Sequence, residues 1–394
     1  MRKFLGSAAL VLSTSLLAAC GGGGTAKSSA PSGCGAPMPA SPSTSSIAGI
    51  VDPLVENELA TTDAPSLTIE IARAGTPIYV QAYGQQNLAA CLAAAATTPY
   101  QIGSVTKQFT AAAVLTLVES GKVDLDTPVV AYLADYQFNP LLTVRMLLNQ
   151  TSGLQDFESL LTVAQDEAGV TEQQVLTDIV GAASHFSPGT AYEYSNSNYF
   201  VLGVIIERVS GATYGDYLQA HVLTPAGLMN TSITQPANAA LPYSLDFPFV
   251  AGTPGRSLGI IPDPSVLFSA GELWSTVGDL TQWDNALFGG KVIDQQSLIE
   301  MLTAPSGVPT YGQPSLPSSY AMGWVVSNYN GYPFYWHNGK TLAYTAYNGV
   351  FSDTQWTLTI LTNLDLSEDT PLGPLAQSII TSVCPVLTGP QSCT

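Results

Sequence analysis

The sequence predicts an α/β (α+β) fold: a sheet that closes only when the two ends of the chain meet, flanked by a helical lobe. Three observations predict it. Both ends of the folded region carry alternating apolar runs around turn residues, and the middle carries helix start and stop signals. No second linker and no internal repeat follows Ile47, so one continuous domain is expected. The first strand pair is "SLTIEIARAGTPIYVQAYG", residues 66–84, two alternating runs around Ala74-Gly75 that read as a hairpin. "SVTKQFTAAAVLTLVESG", Ser104 to Gly121, then predicts a helix with an alanine-rich start, a Leu/Val body and a glycine stop. "NYFVLGVIIERVSG" (198–211) and "TVGDLTQWDNALFGG" (276–290) follow the same grammar. "YTAYNGVFSDTQWTLTILTN" (344–363) is a second hairpin, turning at Ser352-Asp353.

Residues 1–19 read as an export signal. Arg2 and Lys3 form the positive n-region, Phe4 to Leu17 is mostly apolar, and Leu17-Ala18-Ala19-Cys20 follows. Small residues directly before a cysteine look like a bacterial lipobox. The expectation is therefore an exported lipoprotein anchored through lipid on Cys20, facing the periplasm and held at the outer membrane if the host is Gram-negative. Residues 20–48 are a Gly/Ser/Pro-rich tether with no apolar period, which should be flexible. Residues 49–394 are the folded domain, with an α/β lobe from about 49–120 and 285–394 and a helical lobe from about 121–284.

At 394 residues, 46% of them hydrophobic, the chain can bury a sizeable core. Its formal charge of −18 offers nucleic acid no basic face, so no nucleic-acid partner is expected. Because charged residues make up only 10% of the chain, the acidity does not signal disorder. Besides Cys20, four cysteines remain, and three pairings are open to them. Cys34–Cys91 with Cys384–Cys393 is the one expected. No CxxC spacing occurs and the 3 histidines are scattered, so neither a metal site nor a cofactor is expected. A monomer is expected.

Three short stretches bear chemistry. In "IGSVTKQFT", Ser104 and Lys107 stand at i and i+3, on one face of a helix start. The helix N-terminus exposes free N–H groups and positive potential, which favour negative charge on the serine oxygen and disfavour an ammonium. A lysine buried there loses charge by desolvation, and a neutral amine can take the serine proton. The chain holds only 11 Lys plus Arg, so placing one there is informative. In "YEYSNSNYF", the Tyr194 phenol could share a proton with Lys107 or protonate a leaving group, and Asn196 could hold Lys107 and touch a substrate carbonyl. In "FYWHNGKTLAY", His337-Asn338-Gly339-Lys340 reads as the start of a strand whose glycine admits a substrate backbone. The N–H groups of Ser104 and Lys340 could then form an oxyanion hole.

S-V-T-K, Y-S-N and H-N-G in this order resemble the serine β-lactamase and penicillin-binding-protein superfamily. Within it, the likeness is to the branch holding class C β-lactamases, D,D-peptidases, D-aminopeptidases and family VIII esterases. The flanks "LTVRMLLNQTSGL", "FSPGTAYEYSNSNYFVLGVIIERVSG" and "LWSTVGDLTQWDNAL" share it, over roughly Ile50 to Asp365. The resemblance implies an antiparallel sheet flanked by helices beside an all-helical lobe, with the site between them. It implies Ser104 as acylated nucleophile, Lys107 as its motif partner and Tyr194 as base and acid. Asn196 becomes the substrate-contacting amide, His337 and Gly339 the third motif, and Ser104 and Lys340 the oxyanion N–H groups. No cofactor is implied.

Departures from the pattern bear on substrate. His337 replaces the fixed cation that relatives use to grip a carboxylate, and an unperturbed imidazole (pKa ~6.5) is mostly neutral at pH 7. Lys340 could restore a positive charge, although a strand places neighbours on opposite faces. Gly271-Glu272 stands where relatives show two glycines, an added carboxylate near the mouth or a solvent-facing one. Gln150 replaces a frequent histidine and reads as structural variation. The expectation is a serine hydrolase forming an acyl-enzyme on small esters, with amides and peptides behind them. The alternatives are a β-lactamase, a D,D-carboxypeptidase or D-aminopeptidase, and, outside enzymes, a penicillin-binding-like sensory lipoprotein. A hydrolase built on a nucleophile elbow is disfavoured.

Overall fold

The computed structural model describes residues 46–162, 165, 168–244, 257–306, 318–329, 331–366 and 372–388. The expected leader, most of the tether and Cys20, the expected lipidation site, lie outside these residues, as do Cys34 and Cys393. Cys91 and Cys384 are both disulfide-bonded. Among the described residues no helix is long and apolar enough to cross a membrane.

The chain contributes β1 (Ser66–Arg73), β2 (Thr76–Asn87) and β3 (Leu92–Ala93) from its front. Four two-residue strands follow, β4 (Tyr100–Gln101), β5 (Tyr243–Ser244), β6 (Ser257–Leu258) and β7 (Trp274–Ser275), pairing β4 with β7 and β5 with β6. The last five are β8 (Ser318–Tyr320), β9 (Val325–Tyr329), β10 (Tyr332–Lys340), β11 (Thr345–Phe351) and β12 (Trp356–Thr362). One eight-stranded antiparallel sheet results, in the order β3-β2-β1-β12-β11-β10-β9-β8. The first and last long strands are neighbours, with Ile69 opposite Ile360. The first hairpin turns at Ala74 and Gly75, both at positive φ (49° and 71°), as a tight two-residue connection demands.

Strand alternation divides the sheet into two unlike faces. Leu67, Ile69 and Ile71 of β1, with Leu358 and Ile360 of β12, form an apolar face. It is covered by the terminal helices Ala48–Thr62 and Leu372–Thr388. The opposite face carries Glu70 and Asn348 toward the helix Val277–Phe288. That helix lies across β1 and β12. The helix from Val277 onward thus packs with the sheet.

The helix Thr106–Glu119 is buried along nearly its whole length, packed by Asn196–Ser210 and Pro264–Gly271 on one side and Gln295–Leu302 on another. A helix apolar all round belongs in an interior. Its N-terminus abuts the sheet at β10, and this is where the two lobes meet. One expectation is corrected here. His337 to Lys340 are the last four residues of β10, not the start of a strand. The aromatic run Tyr332 to Trp336 before them is the body of that strand, pairing with β9 and β11.

Candidate active site

A 3₁₀ turn, Gly103–Val105, leads into the helix at Thr106 and presents Ser104 half-buried at the junction. One turn on, Lys107 is fully buried. Its Nζ lies 3.0 Å from Ser104 Oγ, 2.6 Å from Asn196 Oδ1 and 2.8 Å from the Ala270 carbonyl. It also sits 4.9 Å from the centre of the Tyr194 ring and 5.5 Å from that of Tyr199. Burial pushes the amine down to about 7, against the opposing pull of the Glu158 and Asp156 carboxylates.

The proton inventory of this cluster follows from its partners. The Ala270 carbonyl can only accept. Asn196 Oδ1 is likewise an acceptor, because the Asn196 amide nitrogen donates to Glu158 Oε1 (2.9 Å) and Asp156 Oδ2 (3.3 Å). A neutral Lys107 therefore spends both N–H groups on these two oxygens and turns its lone pair to Ser104. Tyr194 donates its hydroxyl to Ser104 Oγ at 2.7 Å. Ser104 is thus placed to give its proton to the amine while accepting one from the phenol.

Opposite this group, β10 meets the 3₁₀ turn backbone to backbone. A Cβ on Gly339 would fall 1.8 Å from the Ile102 carbonyl oxygen and 3.1 Å from the Ser104 nitrogen; one on Gly103 would fall 2.7 Å from the Lys340 nitrogen. Only glycines allow the two main chains to come this close. His337 is buried, 2% exposed, with Nε2 at 2.9 Å from the Tyr320 hydroxyl and Nδ1 facing the Asn338 carbonyl. A carbonyl cannot donate, so Nδ1 carries the proton and Nε2 accepts from Tyr320. Burial, and then the Lys107 charge, push this imidazole down to about 3, so it stays neutral.

Residues 51–378 match the Beta-lactamase family model. The chain belongs to the β-lactamase family. It is 26% identical over 332 residues to Protein flp of Staphylococcus aureus strain N315, covering 80% of this chain and 63% of that protein. It is 30% identical over 250 residues to the putative penicillin-binding protein PbpX of Bacillus subtilis, covering 62% and 61% of the two chains. The chain thus spans under two thirds of the length of these relatives. Among solved structures, a D-amino acid amidase from Ochrobactrum anthropi superposes with a TM-score of 0.77 at 24% identity, covering 87% of this chain and 100% of that one. An octameric penicillin-binding protein homologue from Pyrococcus abyssi superposes with a TM-score of 0.73, also at 24% identity, covering 87% and 78%.

Against the pattern of the β-lactamase family, several residues take places the sequence did not disclose. The Lys340 ammonium pairs with Asp365 at 3.1 Å. Glu272 is buried rather than solvent-facing, 6% exposed, and burial with the nearby Glu207 pushes its carboxyl up to about 8. Its electrostatic neighbours include Glu207 and Tyr214. Gln150 holds the loop before Tyr194. Its Oε1 accepts from Ser195 N at 3.0 Å and from Asn198 Nδ2, and its carbonyl accepts from Glu193 N at 3.1 Å. Phe268 adopts φ 38°, ψ −137°, kinking the helix just before Ala270. Such a backbone costs on the order of 1–3 kcal/mol and recurs where geometry serves a site.

Asp156, Glu158, Ala270 and Tyr320 were missed by sequence reasoning. Asp156 and Glu158 lie two and four residues past the flank "NQTSGL", and Ala270 adjoins the Gly271-Glu272 departure, so proximity to a motif was the available signal. Tyr320 had none. The nucleophile-elbow pattern G-x-S-x-G does occur once, at Gly255–Gly259. Ser257 there opens the two-residue strand β6 instead of a strand-to-helix turn.

Proposed function

We propose that this protein is a serine hydrolase that works through an acyl-enzyme at Ser104, with esters of neutral acyl groups as its foremost substrates. The observation that carries this reading is the saturated shell of Lys107, which leaves one lone pair and directs it at the serine. Ser104 Oγ attacks the carbonyl as its proton passes to Lys107. The N–H groups of Ser104 and Lys340 receive the oxyanion, each such donor typically contributing ~3 kcal/mol to transition-state stabilisation. Tyr194 relays the proton to the leaving oxygen or nitrogen. Water then enters and gives one proton to the Tyr194–Lys107 pair as its oxygen bonds to the acyl carbon. The acyl–Oγ bond breaks, Ser104 Oγ takes that proton from the pair, and the carboxylic acid leaves. The two groups titrate as one unit, so neither alone is named the base.

Neutral substrates are favoured because His337 stays uncharged and Lys340 is held by Asp365, so neither is a free grip for a substrate carboxylate. One observation favours a second reading. Asp156 and Glu158 stand beside Asn196, and their charge would complement a substrate ammonium such as that of an amino-acid amide. A fluorophosphonate probe should label Ser104 in the peptide map. In a panel of p-nitrophenyl butyrate, D-phenylalanine amide and a chromogenic cephalosporin, the ester should turn over fastest and the cephalosporin slowest. Fast cephalosporin hydrolysis would reverse this ordering, and stable labelling with no turnover of any substrate would favour the sensory alternative. The lipid anchor on Cys20 belongs to the same reading, and palmitate labelling lost in Cys20→Ala tests it.

The reactive amine is neutral, so kcat/KM should fall about tenfold per pH unit below an acidic limb near 7. Glu158 favours the charged amine. Glu158→Gln, which keeps an acceptor for Asn196, should therefore move that limb to lower pH. A limb that stays in place or moves upward rules out this assignment.

A further inference from the structure

Gln150 holds the chain on both sides of Tyr194. Its carbonyl accepts from the Glu193 N–H at 3.1 Å, and its Oε1 accepts from the Ser195 N–H at 3.0 Å. The residue is fully buried and follows directly on Asn149, the cap of the helix Val144–Leu148. Its φ is 63°, in the left-handed region. Glycine, or sometimes asparagine, is the ordinary occupant of that place, because other residues are strained there. A glutamine accepts the strain and puts a long side chain to use. Backbone of this kind gathers at functional sites. The amide oxygen is itself steadied, since it also accepts from Asn198 Nδ2 in the first turn of the helix Asn196–Ser210.

We propose that Gln150 is a positioning residue for the reaction: it sets the reach of the Tyr194 hydroxyl to Ser104 by fixing the peptide groups before and after it. The inference rests on the reading of Tyr194 as the proton carrier. A tyrosine side chain occupies a few discrete rotamers, so its hydroxyl goes where the main chain carries it. Here that hydroxyl lies 2.7 Å from Ser104 Oγ. Tyr320 meets the Tyr194 ring edge-on, 5.9 Å between centres, which restrains the ring and leaves the main chain to Gln150. Asn196 has holders of its own. Asp156 Oδ2 accepts from its backbone N–H, and Asp156 and Glu158 accept from its side-chain amide. The bond from Lys107 to Asn196 is thus secured separately, and loss of the Gln150 amide should fall on Tyr194.

The test is a double-mutant cycle of Gln150→Met, Tyr194→Phe and the two together, with ester turnover expressed per Ser104 titrated by a fluorophosphonate. Methionine fills much the same space and offers no amide oxygen. Gln150→Met should lower kcat roughly 10- to 100-fold, the scale of a misplacement of about 1 Å, with KM within about threefold. In the Tyr194→Phe background no phenol is left to misplace, so the same change should cost less than about threefold more. An equal loss in both backgrounds is the mark of a merely structural role and overturns the proposal. If Tyr194→Phe is slow and Gln150→Met keeps parental activity, the role of Gln150 alone falls. If Tyr194→Phe itself keeps parental activity, the proton-carrier reading falls and this role falls with it. Should Gln150→Met fail to fold, Gln150→Asn takes its place in the cycle, its amide withdrawn by one methylene.

Discussion

Lys107→Met is expected to lower kcat/KM for the best ester by roughly 10³-fold, within the range of a lost general base. Methionine nearly matches the length of the side chain and removes the amine. Ser104 then keeps only its bond from Tyr194, which donates to the serine and cannot also accept from it. The loss should lie mainly in kcat, because the amine itself bonds Ser104, Asn196 and the Ala270 carbonyl and acts through the serine. Two further signs should accompany it. Fluorophosphonate labelling of Ser104 should slow in proportion, and the acidic limb near 7 should vanish from what activity remains. The buried Asn196 and Ala270 acceptors lose a donor, while the protein no longer shelters an amine from water. These effects oppose one another, so a thermal melt should show a folded protein. A variant that keeps activity within tenfold of the parent would remove Lys107 from the chemistry.

Gly339→Ala is expected to lower kcat by roughly 10²- to 10³-fold with a smaller change in KM, the cost of one misplaced oxyanion donor. A Cβ there would lie 1.8 Å from the Ile102 carbonyl oxygen, a separation no pair of atoms tolerates. Both partners are main chain, so no side-chain rotation can relieve it. β10 must move away from the Gly103–Val105 turn, taking the Lys340 N–H with it. Gly181 makes the control, since a Cβ at that position meets nothing within 4 Å. Gly181→Ala should leave activity as it was and should not lower stability, since alanine suits the helix Glu172–Gly181 better than glycine does. If Gly339→Ala turned over within threefold of the parent, the close approach of the two backbones would have no catalytic meaning.

Both hairpin turns and the helices Thr106–Glu119, Asn196–Ser210 and Val277–Phe288 were legible because local rules set them. Positive-φ turns need particular residues, and a glycine stop ends each of these helices. The two terminal helices that cover the sheet were not read. The pairing of β1 with β12 was legible only as an inference from strands left over at both ends. The three motifs disclosed Ser104, Lys107, Tyr194 and Asn196, and the structure brings these four into direct contact. Residues that act through long-range packing were not legible. Tyr320 reaches His337 from a different strand, and Ala270 contributes only a carbonyl, which every residue possesses. The strand carrying His337 was expected to begin at His337, whereas His337–Lys340 end it, because periodicity does not fix where a strand starts. Glu272 was left open between the mouth and the solvent because a sequence shows that a carboxylate exists, not which way its helix end turns; the structure buries it.

The adjacency of β1 and β12 bears on how the molecule comes into being. Material made early in synthesis must wait, with an unsatisfied strand edge, for its partner to emerge from the ribosome nearly three hundred residues later. Such remote pairing is slow and leaves time for sticking to other chains. A chain kept unfolded until after translocation would escape that hazard, and one truncated before β12 would lose the seam that holds the sheet together.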